Sequence, residues 1–385
     1  MTALELPDSS LNDREAAAVE RTIAWASTAV APLAEHWETD RRFAAEAFAA
    51  AGEAGLTGLL VPVEQGGEGL GPVAMARIVE EAASVDLAAT FPLVVHNNLA
   101  AAIATQGSDE LRARYLDDLV AGRKLGAFLL TEPGVGSDAG AITTVATKTA
   151  DGWVLNGAKA WVTNAAAANV LSVYATTDPD GDHRAIAAFL VDADAPGVDA
   201  DPTYALFGGH GMGTGGFRFE NCKIDESAML VPPGQGFRAA MSGIDLARLL
   251  VGAMCCGMLR AGLETATDYV GKRRAFGGPI SDLQAVRFKL ADVATDLEAS
   301  RLLTYRAARS LQEGADTTVA AAHAKKFATR AAESRLADCM QVMGAAGARR
   351  DHCLPRHLSA SRLTHYMDGA TEIQDVVISR SLLSG

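Results

Sequence analysis

Leu283, Val286, Leu290, Val293 and Leu297 recur at alternating three- and four-residue spacing. That spacing draws one apolar stripe down one face of a helix, and the stripe needs partner helices to cover it. Ser281-Asp282-Leu283-Gln284 reads as a capping box at its start. Gly314 ends it, after roughly 50 Å at about 1.5 Å per residue. A second long helix is predicted from about Thr317 to Met343, ending at Gly344. Two more bracket this pair, Gln235 to Arg273 and Ser361 to Leu383. Four such helices make a C-terminal four-helix bundle over 235–385.

The texture upstream is different. Ala127 to Leu130, Trp153 to Val162, Val170 to Ala175, Ala185 to Val191 and Phe217 to Ile224 are short and partly alternating. Asp151-Gly152, Asn156-Gly157, Asp178-Pro179-Asp180-Gly181 and Ala195-Pro196-Gly197 supply turn signals. These features predict an antiparallel β barrel or sandwich over 126–234. Residues 1–125 read as helices: Phe43 to Ala54 ended by Gly55, Val73 to Ala83, and Leu111 to Ala121, with a glycine loop at 65–72. The fold class is therefore α+β and multidomain, in the order helices, β domain, bundle. Alternating βαβ units are absent, and no G-x-G-x-x-G follows a strand, so a Rossmann site is not supported.

Charge and cysteine usage narrow the functions. The formal net charge is −13, which disfavours nucleic-acid binding, because phosphate needs a basic face. The five cysteines, Cys222, Cys255, Cys256, Cys339 and Cys353, are odd in number and form no C-x-x-C pair, so neither a disulfide framework nor a zinc site is expected. Cys255-Cys256 reads as core. The uncharged stretch Leu87 to Ser108 contains Pro92, His96, Asn97, Asn98 and Gln106. A span needs about 20 mainly apolar residues, so no membrane helix is expected. Met1 to Ser10 carries acids and a proline with no basic-then-apolar pattern. The expected compartment is a reducing cytoplasm.

Four motifs carry candidate chemistry. Thr131-Glu132-Pro133-Gly134-Val135-Gly136-Ser137-Asp138 follows an apolar strand; its small residues and free N–H groups suit phosphate or a planar ring, or form a plain surface turn. Asn156-Gly157 signals a hairpin, and the strand after it sets Trp161 and Thr163 two residues apart on one face. An indole beside a hydroxyl can flank a flavin, or the Trp can be core. Arg273-Arg274-Ala275-Phe276-Gly277 can clamp a pyrophosphate and stack an adenine, or end a helix with basic charge. Asp368-Gly369-Ala370-Thr371 places an acid before a helix, as a functional carboxylate or as an N-cap. His96, His210 and His365 are further polar candidates without an assigned role.

The order and spacing of these motifs resemble the acyl-CoA dehydrogenase family of flavoproteins along nearly the whole chain. TEPGVGSD at 131–138, NGAKAWVTN at 156–164, Thr214 to Phe219, RRAFG at 273–277, Gln341 to Gly347, and DGATEIQ at 368–374 carry the likeness. The resemblance implies FAD held non-covalently between the middle and C-terminal domains of a homotetramer built from dimers. It implies that Thr131 and Thr163 bond the isoalloxazine edge, Trp161 packs on it, and Ser137 reaches a phosphate. Arg273 and Phe276 would hold FAD of a neighbouring subunit, with Gln341 and Gly344 nearby. Asp245, Arg248 and Gly369 would line the substrate cavity. The implied reaction is α,β-dehydrogenation of an acyl thioester, carried by CoA or an acyl carrier protein, with electron-transfer flavoprotein or oxygen as acceptor.

The chain departs from the family pattern at the base. The usual Glu before Gly-Thr is Asp368 before Gly369-Ala370, and the alternative Glu position is Ala247. The shorter side chain sets the carboxylate back by about 1.5 Å, and a misplacement of about 1 Å costs roughly 100-fold. A compact branched or cyclic acyl group seated deeper would meet it. Other departures are Asp375 for the Arg after E-I-Q, Ser359-Ala360 for Arg-Asp, Met212 for Ser with His210 nearby, and Ala345 for a glycine. No Arg lies between Asp86 and His96, which disfavours a dicarboxylyl substrate. Two alternatives stand beside the dehydrogenase: a flavin oxidase or monooxygenase on the same fold, and a non-catalytic FAD-binding subunit of a hetero-oligomer. Nitroalkane-oxidase-like members use an Asp base, but pair it with an Arg seven residues on, where Asp375 stands here.

Overall fold

A computed structural model describes residues 11–383; Met1–Ser10, read above for targeting signals, lies outside the described residues. The N-terminal part is helical: α1 (Asp13–Trp25), α2 (Ala34–Thr39), α3 (Ala45–Glu53), α4 (Pro72–Val85), α5 (Leu87–Gln106) and α6 (Asp109–Val120). Asn12 opens α1 with a capping box, its side chain accepting from Arg14 and Glu15 while Glu15 accepts from the Asn12 N–H.

The middle region is one eight-stranded sheet. It contains β1 (Gly126–Leu129), β2 (Val145–Lys148), β3 (Trp153–Val162), β4 (Val170–Thr176), β5 (Ile186–Asp192), β6 (Val198–Ala200), β7 (Gly215–Ile224) and β8 (Met229–Val231). The order is β6-β7-β3-β2-β4-β5-β8, with β1 also beside β4. The expectation of a wholly antiparallel region is corrected here: β4 runs parallel to β1 and, at one pair, to β2. The long excursion between β1 and β4 returns the chain in the same direction, which a parallel pair requires. All of β4 is buried, as befits a strand covered on both faces. The predicted hairpin at Asn156-Gly157 is also absent. Both residues lie inside β3, at a register shift. Gly157 has φ +147°, and a Cβ there would come within 2.6 Å of Thr144 Oγ1. The glycine serves close approach of two strands rather than a turn.

The C-terminal part holds α7 (Gly236–Lys272), a small hairpin of β9 (Arg274–Ala275) and β10 (Gly278–Pro279), α8 (Gln284–Gln312), α9 (Thr318–Met343), α10 (Leu354–Thr364) and α11 (Thr371–Leu383). Two expectations change. The capping box at Ser281 does not form: Leu283 is the N-cap without a side-chain bond, and Asp282 pairs with Arg287 instead. The helix expected over Ser361–Leu383 is two helices, because Asp368 and Gly369 both take left-handed backbone, φ +50° and +93°. Along the α8 stripe, Val293 and Leu297 are buried, Val286 and Leu290 half-buried, and Leu283 exposed.

One apolar core runs continuously from Ala18, Trp25 and Trp37 through α4 to Leu249–Leu259 of α7 and Ala321–Leu336 of α9. Cys255 and Cys256 lie inside it. By length and composition α5 and α7 would suffice to cross a membrane, yet most of both is packed inside the protein.

Candidate active site

The loop between α10 and α11 carries Asp368 in left-handed backbone, a conformation few non-glycine residues take without support. The support comes from two helices. Arg248 of α7 donates Nε to the main-chain oxygen of Asp368 at 3.2 Å. Its Nη1 donates to Asp245 Oδ1 at 2.9 Å, and Asp245 Oδ2 accepts from Thr318 Oγ1 at 2.7 Å. Lys325 of α9 donates to the Gly369 oxygen at 2.8 Å, and Gln374 Nε2 donates to the same oxygen at 3.0 Å. Asp245, Arg248, Asp368 and Gly369 are thus one cluster.

The carboxylate itself is left free. Its Oδ2 is sealed from solvent and accepts no hydrogen bond among the described residues. Burial pushes its pKa up to about 6, against the opposing pull of the Lys325 and Arg248 charges. The N-cap alternative is not met: α11 begins at Thr371, Asp368 has φ +50° rather than the extended backbone of a cap, and its Oδ2 accepts from no amide among the described residues. A buried, unquenched carboxylate titrating near neutrality has the properties of a general base.

A second group of residues forms around the end of β3. Glu132 is buried and accepts from Lys159 Nζ at 2.8 Å, from the Thr143 N–H at 2.7 Å and from the Thr144 N–H at 2.8 Å. The pairing holds Glu132 low, at about 2, and burial brings Lys159 down to about 8. This buried pair fixes the 131–138 loop, and Ala160 N donates to the Thr131 oxygen at 3.0 Å. Ser137, Gly134 and Gly136 are exposed, and a Cβ added to either glycine would meet nothing within 4 Å. Trp161 is not core: it is 61% exposed, at φ +59°, resting against Tyr204. The pleat argument for Trp161 and Thr163 fails, since β3 bulges between Lys159 and Val162 and ends before Thr163.

Arg273, Phe276, Gln341 and Gly344 stand apart from both groups, all exposed. Phe276 is 93% exposed on the β9–β10 hairpin. Neither Arg273 nor Arg274 has an ion-pair partner among the described residues. The histidines turn out structural. His96 is buried, its Nε2 between the carbonyls of Thr57 and Leu119 and its Nδ1 accepting from Gly126 N. His210 pairs with Glu38, and His365 with Thr371. Sequence reasoning missed Lys325, whose signal was a cation directly after the Ala-rich run Ala320–Ala324.

Three family models, for the N-terminal, middle and C-terminal domains of acyl-CoA dehydrogenases, match residues 12–123, 127–222 and 234–383. The chain belongs to the acyl-CoA dehydrogenase family. It is 36% identical over 357 residues to an acyl-CoA dehydrogenase of Bacillus subtilis, covering 92% of this chain and 94% of that one. It is equally, 36%, identical to the human mitochondrial short-chain specific acyl-CoA dehydrogenase over 353 residues, covering 91% and 86%. The solved butyryl-CoA dehydrogenase of Megasphaera elsdenii superposes with a TM-score of 0.93 at 32% identity, covering 97% and 99%. Acyl-CoA dehydrogenases are flavoprotein oxidoreductases with FAD as cofactor, and the exposed indole, the open glycine loop and the uncovered Phe276 fit a planar ring and a pyrophosphate.

Proposed function

We propose that this protein is an FAD-dependent α,β-dehydrogenase of a short acyl-CoA, with Asp368 as the base. The observation that carries the reading is the sealed, unpartnered Oδ2 of Asp368 with its pKa raised to about 6. The short acyl group is supported by the short-chain and butyryl names of its relatives. Thr131, Ser137, Trp161 and Thr163 would hold FAD from this chain. Arg273, Phe276, Gln341 and Gly344 would reach FAD in a neighbouring subunit of a homotetramer. Bound FAD supplies the two-electron acceptor for the β-hydrogen.

The chain's own residues do the proton work. Asp368 takes the α-proton onto its carboxylate. The C–H electrons move toward the thioester carbonyl, whose oxygen gains charge. The Asp368 N–H makes no main-chain hydrogen bond among the described residues and would donate to that oxygen in the manner of an oxyanion hole. Arg248 and Lys325 spend their donors on loop carbonyls and leave the base unquenched. CoA is favoured over a carrier protein, because the basic pair Arg349-Arg350 is already engaged, Arg349 by Asp351 and Arg350 by Glu35. Five free cysteines fit a reducing cytoplasm.

The test is anaerobic mixing of the yellow holoenzyme with butyryl-, isobutyryl-, cyclic and aromatic acyl-CoAs. Flavin bleaching with a compact acyl-CoA, and slow reoxidation by oxygen, is the expected result. No bleaching with any of them, or immediate reoxidation by oxygen, overturns the dehydrogenase reading.

A further inference from the structure

Lys325 has no carboxylate partner within ion-pair distance among the described residues, although its side chain is fully buried. Both of its bonds go to main-chain oxygens of one loop: Gly369 at 2.8 Å and His365 at 3.5 Å. A buried ammonium is expensive, and apolar packing alone would be served better by Leu or Met. Lys325 is buried among Ala321, Ala322, Ala324 and Ala328, so its charge is the exception on the buried face of that stretch of α9.

The loop explains the exception. Asp368 and Gly369 take left-handed backbone in succession, and each carbonyl is met by a buried cation from a different helix. Arg248 grips the first from α7 and Lys325 the second from α9. A non-glycine residue in this conformation persists only where its surroundings over-determine it. Arg248 already shares its guanidinium with Asp245, so it alone does not fix the second carbonyl.

The same ammonium acts on the carboxylate through space. The groups facing Lys325 are Asp368, Glu372 of α11, and Cys255 and Arg248 of α7. His365 contributes its carbonyl to Lys325, and its ring faces Thr371. Burial pushes the Cys255 thiol up to about 12, so it is neutral, and Asp368 is the acid of the site that both cations favour in its charged form.

We propose that Lys325 is a positioning residue for the reaction: its ammonium locks the loop that aims Asp368 and biases that side chain toward its carboxylate. The inference rests on the reading of Asp368 as the base. Its test uses full-length holoenzyme of wild type, Lys325→Met, Lys325→Gln, Lys325→Arg and Asp368→Asn, with whichever acyl-CoA bleaches the wild-type flavin best. In Lys325→Met, FAD content and KM stay near wild type while kcat falls about tenfold to a hundredfold. The acidic limb of its kcat/KM profile moves up by about one pH unit, the effect of losing a nearby opposite charge. Lys325→Arg keeps the limb near its wild-type place. Should Lys325→Met fail to fold, Lys325→Gln decides the matter, since it keeps a donor but not the charge and moves the limb the same way. An unmoved limb in the uncharged variants, with Asp368→Asn inactive, overturns this role and leaves the base in place. Wild-type turnover in Asp368→Asn overturns the base and this role with it.

Discussion

Arg248 donates Nε to the main-chain oxygen of Asp368 at 3.2 Å, while the Oδ2 of that same aspartate accepts no bond among the described residues. The backbone of the proposed base is held and its carboxylate oxygen is left unspent. This separation of anchoring from reactivity has a thermodynamic signature.

Asp368 titrates at about 6 in the folded chain against 3.8 ordinarily. Below pH 4 it is protonated folded and unfolded alike and contributes nothing. As pH rises from 4 to 6, the unfolded chain loses the proton and the folded one keeps it, so stability falls. At pH 7 the ionised group destabilises the fold by about 1–3 kcal/mol, allowing for the solvent at the outer edge of the side chain. Asp368→Asn is therefore expected to raise the melting temperature at pH 7 and leave it unchanged at pH 4, while turnover falls by orders of magnitude. Calorimetry at both pH values checks the sign; equal or lower stability of the variant at pH 7 refutes the buried base.

Gly369 sits where a side chain would be strained and tightly packed. Its φ is +93°, and an added Cβ would lie 3.2 Å from Gln374 Nε2 and 3.4 Å from Arg248 Nη2. Gly369→Ala is expected to lose about 1–3 kcal/mol of stability and to slow turnover by crowding Gln374 and Arg248, which hold the loop. Gly314→Ala is the control. It also has positive φ, +73°, but nothing lies within 4 Å of its Cβ. That variant should lose stability at unchanged kcat, and an equal drop in kcat for both variants would discount the contact with Arg248.

Periodicity made most of this fold legible. The α8 stripe and the strand-and-turn texture over 126–234 carry their own geometry, so element type and order follow from residue spacing. Pairing direction did not follow: β1 and β2 lie parallel to β4 through contacts far apart in sequence. The break at 368–369 was hidden for a related reason. Leu363, Met367, Ala370 and Ile373 keep helical spacing across it, and the left-handed aspartate is stabilised from α7 and α9, more than forty residues upstream for both cations. Asp368 itself was found through its motif. Lys325 was not, because a lysine beside a second lysine in an Ala-rich helix reads as a solvated face until the fold closes over it.

The Glu132–Lys159 pair holds the loop that bears Thr131 and Ser137. Both partners are buried, and Glu132 also takes bonds from Thr143 and Thr144. Lys159→Met strands the Glu132 charge and is expected to destabilise by about 3–5 kcal/mol. The ordinary pKa of Glu132 is 4.5, and in the fold it lies near 2. Its stabilisation is present above pH 4.5 and is lost as pH falls toward 2, and the variant should lose that acid dependence. Adding Glu132→Gln to Lys159→Met should restore part of the loss in urea unfolding, since it removes the stranded charge. A double variant that is weaker by the sum of both single losses would show that the pair is not coupled.

Phe276 stands 93% exposed on its hairpin, at φ +51°, three residues after Arg273, which has no ion-pair partner among the described residues. An exposed phenylalanine in left-handed backbone gains nothing for the chain that carries it. A ring so presented is explained by a surface on another molecule, which the proposed homotetramer supplies as FAD of a neighbouring subunit. Phe276→Ala should leave apoprotein stability within about 0.5 kcal/mol while weakening FAD binding. Trp161→Ala should weaken FAD binding from the other side. The decisive arm is subunit mixing. If each flavin is held by Trp161 of one chain and Phe276 of the next, a mixed pair of the two variants contains one fully intact site and one doubly damaged site. Co-refolding two FAD-poor variants should then restore tight flavin binding to a fraction of the sites. No restoration on mixing, with both variants still assembled, would place Phe276 and Trp161 on the same flavin within one chain or leave Phe276 without a flavin at all.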